Sequence, residues 1–208
     1  MGRSLLDIRG LCCERDDRTL FHDLDFSLAS GEIVQLSGPN GSGKTTLLRI
    51  IAGLFLSYRG DVVWRGRPRD DNLSDFHQDV LYLGHRSGVK AALTPFENLR
   101  FLSGLHGEIN TPELLSALER VGLAGYEHSP SRNLSAGQQR RIALARLFLS
   151  DASIWLLDEM FTAIDLDGVS WFEQFLTEQA GQGRGILLTT HHVLSISNVR
   201  RVQLGQLF

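Results

Sequence analysis

Apolar and polar positions change period several times along the chain, and each change predicts an element. Leu5, Leu6 and Ile8 form a first β-like run, and Leu24-Asp25-Phe26-Ser27-Leu28 alternates with period two, as a strand with one buried face does. Between them the charged string from Glu14 to Arg18 reads as a turn, and Ala29-Ser30-Gly31-Glu32 reads as another. Ile33, Val34 and Leu36 make a short β-leaning run. Leu47, Ile50, Ile51 and Leu54 then recur at helical spacing, which predicts a helix. Tyr58-Arg59-Gly60 turns the chain into a strand at Asp61-Val62-Val63-Trp64, and Arg65-Gly66-Arg67-Pro68 turns it again. Val80-Leu81-Tyr82-Leu83 reads as a buried strand that stops at the polar loop Gly84-His85-Arg86-Ser87-Gly88.

Helices follow. Thr94-Pro95-Phe96-Glu97 has the form of a capping box with proline at the first helical position. Thr111-Pro112-Glu113 opens the next helix, which carries Leu114, Leu115, Leu118 and Val121 on one side. The stretch from about Pro95 to Pro130 is therefore a helical insert between core strands. From Asn133 the pattern alternates again: a helix over Gly137 to Leu149, a strand over Ile154 to Leu157, a helix over Gly168 to Ala180 and a strand over Gly185 to Thr190. The tail from Val199 has short β-like stretches. Strand and helix in alternation imply one α/β domain over residues 1–208 with two embellishments.

Composition changes this picture little. At 208 residues the chain can bury a sizeable core, and its net charge of −3 argues against a general nucleic-acid binder. No apolar run approaches the roughly 18 residues of a membrane span. The opening MGRSLLDIRG, broken by Asp7 and Arg9, does not read as a signal peptide. A cytoplasmic protein that meets a membrane only through a partner is the expectation. Cys12 and Cys13 are adjacent, which suits neither a disulfide nor a zinc site, and they read as small strand residues on opposite faces.

The chemistry concentrates in three places. After the run at Ile33 to Leu36 comes Gly38-Pro39-Asn40-Gly41-Ser42-Gly43-Lys44-Thr45-Thr46, and then the predicted helix. Strand, glycine-rich loop and helix in that order form a phosphate-binding P-loop. The glycines let backbone N–H groups converge on phosphate oxygens, and the new helix directs its unsatisfied N–H groups at the same anion. Lys44 supplies a mobile charge for the β- and γ-phosphates, and the Thr45 hydroxyl can ligate Mg²⁺. These residues imply a bound nucleoside triphosphate.

The second place is Ile154-Trp155-Leu156-Leu157-Asp158-Glu159, an apolar strand ending in two carboxylates. Asp158 fits the strand-end aspartate that helps hold Mg²⁺, and Glu159 can polarise an attacking water as general base. Such a pair also ends strands for solubility alone; the P-loop gives it meaning. The third is Leu134-Ser135-Ala136-Gly137-Gln138, followed by Gln139-Arg140-Arg141-Ile142-Ala143. Ser135 can cap the helix that follows, and Gly137 keeps its start free of bulk.

On these motifs the chain resembles the ATP-binding subunits of ABC transporters over nearly its whole length. GPNGSGKT resembles Walker A, LSAGQ the signature motif and IWLLDE Walker B; Phe161 to Asp165 resembles the D-loop, and His191 the switch histidine. CERDDRTLF, GHRSGVK, FTAIDLDG and LTTHH narrow the likeness to the cytochrome c maturation, or haem exporter, ATP-binding proteins. The resemblance implies a P-loop NTPase core of RecA-like type with an antiparallel β subdomain and a helical subdomain at roughly 90–150. It implies ATP and Mg²⁺ as ligands, with Glu159 and His191 catalytic and Thr45 and Asp158 at the metal. It also implies a head-to-tail dimer in which Ser135, Ala136, Gly137 and Gln138 reach the nucleotide of the other protomer and Asp165 serves the D-loop. Integral-membrane subunits at the cytoplasmic face of the bacterial inner membrane are the implied partners, and the work is haem export or release of haem from its carrier complex. Alternatives are an ABC transporter ATPase for another substrate, a soluble ABC ATPase of translation or DNA repair, and a P-loop kinase. The last two are disfavoured by the single cassette and by LSAGQ respectively.

Three departures from the family pattern stand out. His85 occupies the Q-loop position usually held by glutamine; an imidazole nitrogen can still accept or ligate there, or the residue is an ordinary surface one. The aromatic that usually stacks on adenine is missing near Cys12 to Arg18, and Met160 replaces a proline. No direct haem binding is expected. His191 and His85 are assigned to nucleotide roles, His192 adjoins the nucleotide site, Cys12 and Cys13 cannot face one pocket, and no Cys-x-x-Cys-His segment occurs.

Overall fold

Two sheets of opposite character carry the strands. In the computed structural model, which describes residues 3–16, 18–104, 110–164 and 166–205, the first sheet is entirely antiparallel. Its strands are β1 (Ser4–Arg15), β2 (Arg18–Ala29), β4 (Arg59–Trp64) and β5 (Arg67–Pro68), in the order β2-β1-β4-β5. The second is entirely parallel: β3 (Ile33–Ser37), β6 (Val80–Leu83), β7 (Ile154–Asp158), β8 (Gly185–Thr189) and β9 (Arg200–Gln203), in the order β6-β7-β8-β3-β9. This is the α/β architecture with an antiparallel β subdomain that the sequence implied.

The charged turn is tighter than its charge run suggested. Arg15 pairs with Arg18, so Glu14, Arg15 and Arg18 all belong to strands, and Asp16 takes a φ of 52°. Two-residue hairpins need such left-handed backbone, which aspartate tolerates better than most residues. Cys13 is buried and Cys12 half-buried, as strand alternation requires, and burial pushes the Cys13 thiol pKa up.

In the parallel sheet every residue of β7 and β8 is buried, the pattern of strands covered on both faces. Against it lies α1 (Lys44–Ile51), whose Leu47, Leu48, Ile50 and Ile51 are fully buried in one core with Leu36, Leu156 and Leu187. Leu54 shares the helical spacing but lies past the end of α1 and is 61% exposed. Gly53 turns the chain at a φ of 74° and donates to the Ile50 carbonyl at 3.0 Å, while the Leu54 N–H donates to the Arg49 carbonyl at 2.8 Å. The fully buried Arg69 guanidinium adds bonds to the carbonyls of Ile50 and Ile51 and to the Tyr58 hydroxyl.

The short α2 (Leu73–Asp79) gave no periodic trace in the sequence, since Phe76 is its one buried side chain. Phe76 packs edge-on against Trp64 at 5.9 Å. At the end of α2, Asp79 accepts from Trp64 Nε1 and Arg65 Nε, both at 2.8 Å, and from Arg65 Nη2 at 3.0 Å. Burial pushes the Asp79 carboxyl up, but bonds from Arg65, Ser153 and Trp64 together with the Arg65 charge outweigh it, and its pKa lies below the ordinary range.

The chain divides into two compact units. One contains both sheets, α1, α2 and α6 (Leu166–Gly181); the other contains His85–Asp151 with a short stretch beginning at Thr162. Within the second unit lie α3 (Pro95–Ser103), α4 (Thr111–Arg120) and α5 (Ala136–Ala145). Thr94 and Glu97 form the capping box at the start of α3. Asn98, wholly buried, ties the preceding loop down: its side chain bonds Lys90 N and O, the carbonyls of Leu93 and Thr94, and Ser131 Oγ. α5 ends at Ala145 and tightens into a 3₁₀ turn at Arg146–Phe148, earlier than the helix expected through Leu149. Among the described residues no helix is long and apolar enough to cross a membrane.

Candidate functional site

Register sets the site. Leu36 on β3 lies level with Thr189 on β8, and Thr189 lies level with Asp158 on β7. The carboxyl ends of three parallel strands therefore stop side by side, the place where open α/β sheets bind ligands.

The glycine-rich loop leaves β3 at Gly38 with a φ of 145°, where a Cβ would stand 2.6 Å from the Leu204 carbonyl oxygen. Only glycine fits. At Gly43, φ is 94° and a Cβ would meet Leu20 at 3.0 Å and the Phe21 ring at 3.1 Å. Gly43 is the N-cap of α1 and no side chain caps that helix, so its first N–H groups face the loop's concavity. Ser42 and Thr46 are buried, while Pro39, Asn40 and Gly41 are exposed on the rim. Lys44 curls back, donating from Nζ to the carbonyls of Gly38 at 2.8 Å and Pro39 at 3.1 Å.

Thr45 Oγ1 donates to Asp158 Oδ1 at 3.1 Å, and Thr189 Oγ1 donates to the same oxygen at 2.8 Å. Asp158 is completely buried. The next residue, Glu159, takes a φ of 55°. Left-handed backbone at a residue with a long side chain stores about 1–3 kcal/mol and persists only where neighbours enforce it. Thr189 enforces it here: the Glu159 N–H donates to the Thr189 carbonyl at 3.2 Å and to its hydroxyl at 3.0 Å. The Glu159 carboxylate then lies 3.6 Å from His191 Nε2, with the glutamate side chain 13% and the histidine 62% exposed.

Asn40, Gly41, Gly43, Lys44, Thr45, Thr46, Glu159 and His191 line one cavity of about 530 Å³. Its other end is formed by Arg15, Asp16, Arg18 and Leu20. No phenylalanine, tyrosine or tryptophan is among these lining residues. Phe21, the nearest candidate, is 4% exposed and packed under Gly43 in the core. The structure thus gathers the P-loop, Asp158, Glu159 and His191 in one place. Sequence reasoning gave Thr189 no role beyond its place in a strand; it looked for the base near Cys12 to Arg18 but did not name Leu20.

Ser135 to Gln138 and His85 lie in the second unit. Ser135 is exposed and caps α5: its hydroxyl accepts from Gln138 N at 3.2 Å, and Gln138 Oε1 accepts from Ser135 N at 2.9 Å. Ala136 is exposed and Gly137 half-buried; a Cβ on Gly137 would meet only Ser135 Oγ, at 3.9 Å. His85 is exposed, and its carbonyl accepts from Arg140 Nη1 at 2.5 Å. Asp165 lies outside the described residues.

Known proteins match this chain along most of its length. The ABC transporter family model matches residues 21–162. A cytochrome c biogenesis ATP-binding export protein, CcmA, of Hahella chejuensis is 54% identical over 97% of this chain and 96% of its own length. The protein of the same name from Aliivibrio fischeri is 48% identical over 97% and 100% respectively. Among solved structures, an ATP-binding subunit of an ABC transporter superposes with a TM-score of 0.83 at 26% identity, covering 96% of this chain and 85% of that one. An ATP-binding protein from Pyrococcus furiosus, described as a putative ABC transporter, gives 0.81 at 27% identity and covers 96% of both.

Proposed function

The chain belongs to the ABC transporter family, and from that membership we propose that it is the ATP-hydrolysing subunit of a transporter complex in cytochrome c biogenesis. Its relatives at 48–54% identity are named cytochrome c biogenesis ATP-binding export proteins. The observation that carries the hydrolytic reading is the meeting of Lys44, Thr45, Glu159 and His191 on one cavity, with Asp158 behind Thr45. The work coupled to it is haem export or release of haem from its carrier complex.

ATP lies with its phosphates in the loop, where the backbone N–H groups of Gly41 to Thr45 and the α1 terminus receive negative charge. Lys44 is presently occupied by two carbonyls. Exchanging neutral acceptors for phosphate oxygens favours its turning outward. The residues fit Mg²⁺: Thr45 Oγ1 and Asp158 Oδ1, 3.1 Å apart, are two hard oxygen donors beside the loop. Bound there, Mg²⁺ would neutralise charge developing on the β- and γ-phosphates. Glu159 takes a proton from the attacking water, and its backbone conformation aims the carboxylate at the cavity rather than along the strand. His191 contacts the γ-phosphate and keeps Glu159 oriented.

Ser135, Ala136, Gly137 and Gln138 serve the nucleotide of a second copy of the chain. Their support is an exposed, capped helix start with an open face at Gly137, a surface able to receive an anion from outside. A head-to-tail dimer closed by ATP and reopened by hydrolysis would then drive integral-membrane subunits from the cytoplasmic face of the inner membrane. His85, in place of the Q-loop glutamine, and Asp165 at the D-loop would relay that closure. Affinity purification of the full chain from solubilised membranes tests the assignment. An integral-membrane protein of a cytochrome c maturation system should co-purify, and recovery of the chain alone from the soluble fraction would refute it.

A further inference from the structure

His191 is exposed, yet it stands 3.6 Å from Glu159. Something other than its own packing must hold it there. The neighbouring side chain supplies the hold. The His192 imidazole stacks on the Phe161 ring, with centroids 5.5 Å apart and planes 17° from parallel. Its Nε2 lies 3.7 Å from Glu173 Oε1 on α6. Phe161, two residues after Glu159, is itself wedged edge-on against Phe172 of α6 at 5.2 Å.

Glu173 is buried to 7% exposure, and the same Oε1 accepts the Ser195 N–H at 2.9 Å. A buried carboxylate is costly unless it is bonded and paired. Here it draws both ends of the 192–195 segment onto α6. The Thr190 hydroxyl closes the near side by accepting the His192 N–H at 2.9 Å. The histidine segment and the turn carrying Glu159 are thereby clamped to one helix through one ring stack and one carboxylate.

We infer that His192, held between Phe161 and Glu173, is a positioning residue that sets His191 against Glu159 for hydrolysis. The inference rests on the reading of Glu159 and His191 given above. His192 does not line the nucleotide cavity, so its loss acts through geometry. Displacing a catalytic group by about 1 Å can cost on the order of 100-fold in rate.

The test is a cycle of four full-length proteins: wild type, His191→Ala, His192→Ala and the double variant, each assayed for kcat, KM and ATP binding. His192→Ala should lower kcat by about 10- to 100-fold while KM and nucleotide affinity stay at wild-type values. In the His191→Ala background it should cause no further loss, because residues acting as a unit are not additive. His192→Phe, which keeps the stack and removes the carboxylate partner, should recover part of the rate. Losses that multiply in the double variant, an unchanged kcat in His192→Ala, or ATP affinity falling in step with kcat would each overturn the inference. If His191→Ala alone retains full kcat, the role given to His191 fails and this inference falls with it, a result distinct from multiplied losses.

Discussion

Thr45 and Asp158, 113 residues apart in the chain, meet through a 3.1 Å hydrogen bond between the start of α1 and the end of β7. A hydroxyl and a buried carboxylate from two elements converge there beside the phosphate loop. Asp158→Asn should therefore remove most of the gain in ATP affinity that Mg²⁺ confers on the wild type. Loss of a supporting group around a metal costs about 10–100-fold in affinity, and loss of a direct ligand at least that. Calorimetric titration with ATP, with and without Mg²⁺, checks this; an Asp158→Asn protein with an undiminished Mg²⁺ effect would place the metal elsewhere.

Glu159→Gln should bind ATP as the wild type does but turn over about 10²–10⁴-fold more slowly, the usual loss for a general base. It should accumulate as an ATP-bound dimer, visible by size-exclusion chromatography with ATP. Lys44→Ala should instead weaken nucleotide binding itself. Wild-type hydrolysis by the Gln variant would remove Glu159 from the mechanism.

A base seated against Arg15, Asp16, Arg18 and Leu20 would meet charge and an aliphatic side chain but no ring. Aromatic stacking on a base is worth about 1–3 kcal/mol in single-stranded nucleic-acid sites. Without it, ATP and GTP should compete for the site with affinities within about tenfold, 1.4 kcal/mol being one decade. A much larger preference for ATP in competition binding would mean that another contact reads the purine.

Asp79 predicts an acid-sensitive part of the stability. Its folded pKa is depressed, so its contribution is complete above the unfolded aspartate value of about 3.9 and is lost as pH falls through the lower folded value. Asp79→Ala should lower stability at neutral pH by about 1–3 kcal/mol, because Trp64 Nε1 and Arg65 lose their acceptor. At this chain length each kcal/mol corresponds to roughly 2–4 °C in Tm. Melting curves between pH 3 and 7 should show the gap between wild type and variant narrowing toward the acid end. A constant gap would mean that the loss is one of packing.

Much of the protein is legible in its sequence because the relevant physics is local. A capping box needs only Thr94 and Glu97 three residues apart, and a phosphate loop needs glycines between a strand and a helix. Alternation at Leu24 to Leu28 and the unbroken apolar run at Ile154 to Leu157 each report what covers a strand, one face or both. Those patterns sufficed for the α/β class, while the family rested on the resemblance of GPNGSGKT, LSAGQ and IWLLDE. The patterns did not place the end of α1. Helical spacing ran on to Leu54, but Gly53 turns the chain at a φ of 74° and leaves Leu54 in solvent.

The site's geometry belongs to tertiary structure alone. Strand order β6-β7-β8-β3-β9 does not follow chain order, and only that order sets Thr189 between Leu36 and Asp158. The left-handed backbone of Glu159 is disfavoured locally and exists because the Thr189 carbonyl and hydroxyl both hold its N–H. His192 against Phe161 and Glu173 joins three separate segments. The sequence determined which groups are available and which local conformations they prefer. Hydrogen bonds and burial between remote segments decided where those groups stand, since such interactions have no period for a sequence to display.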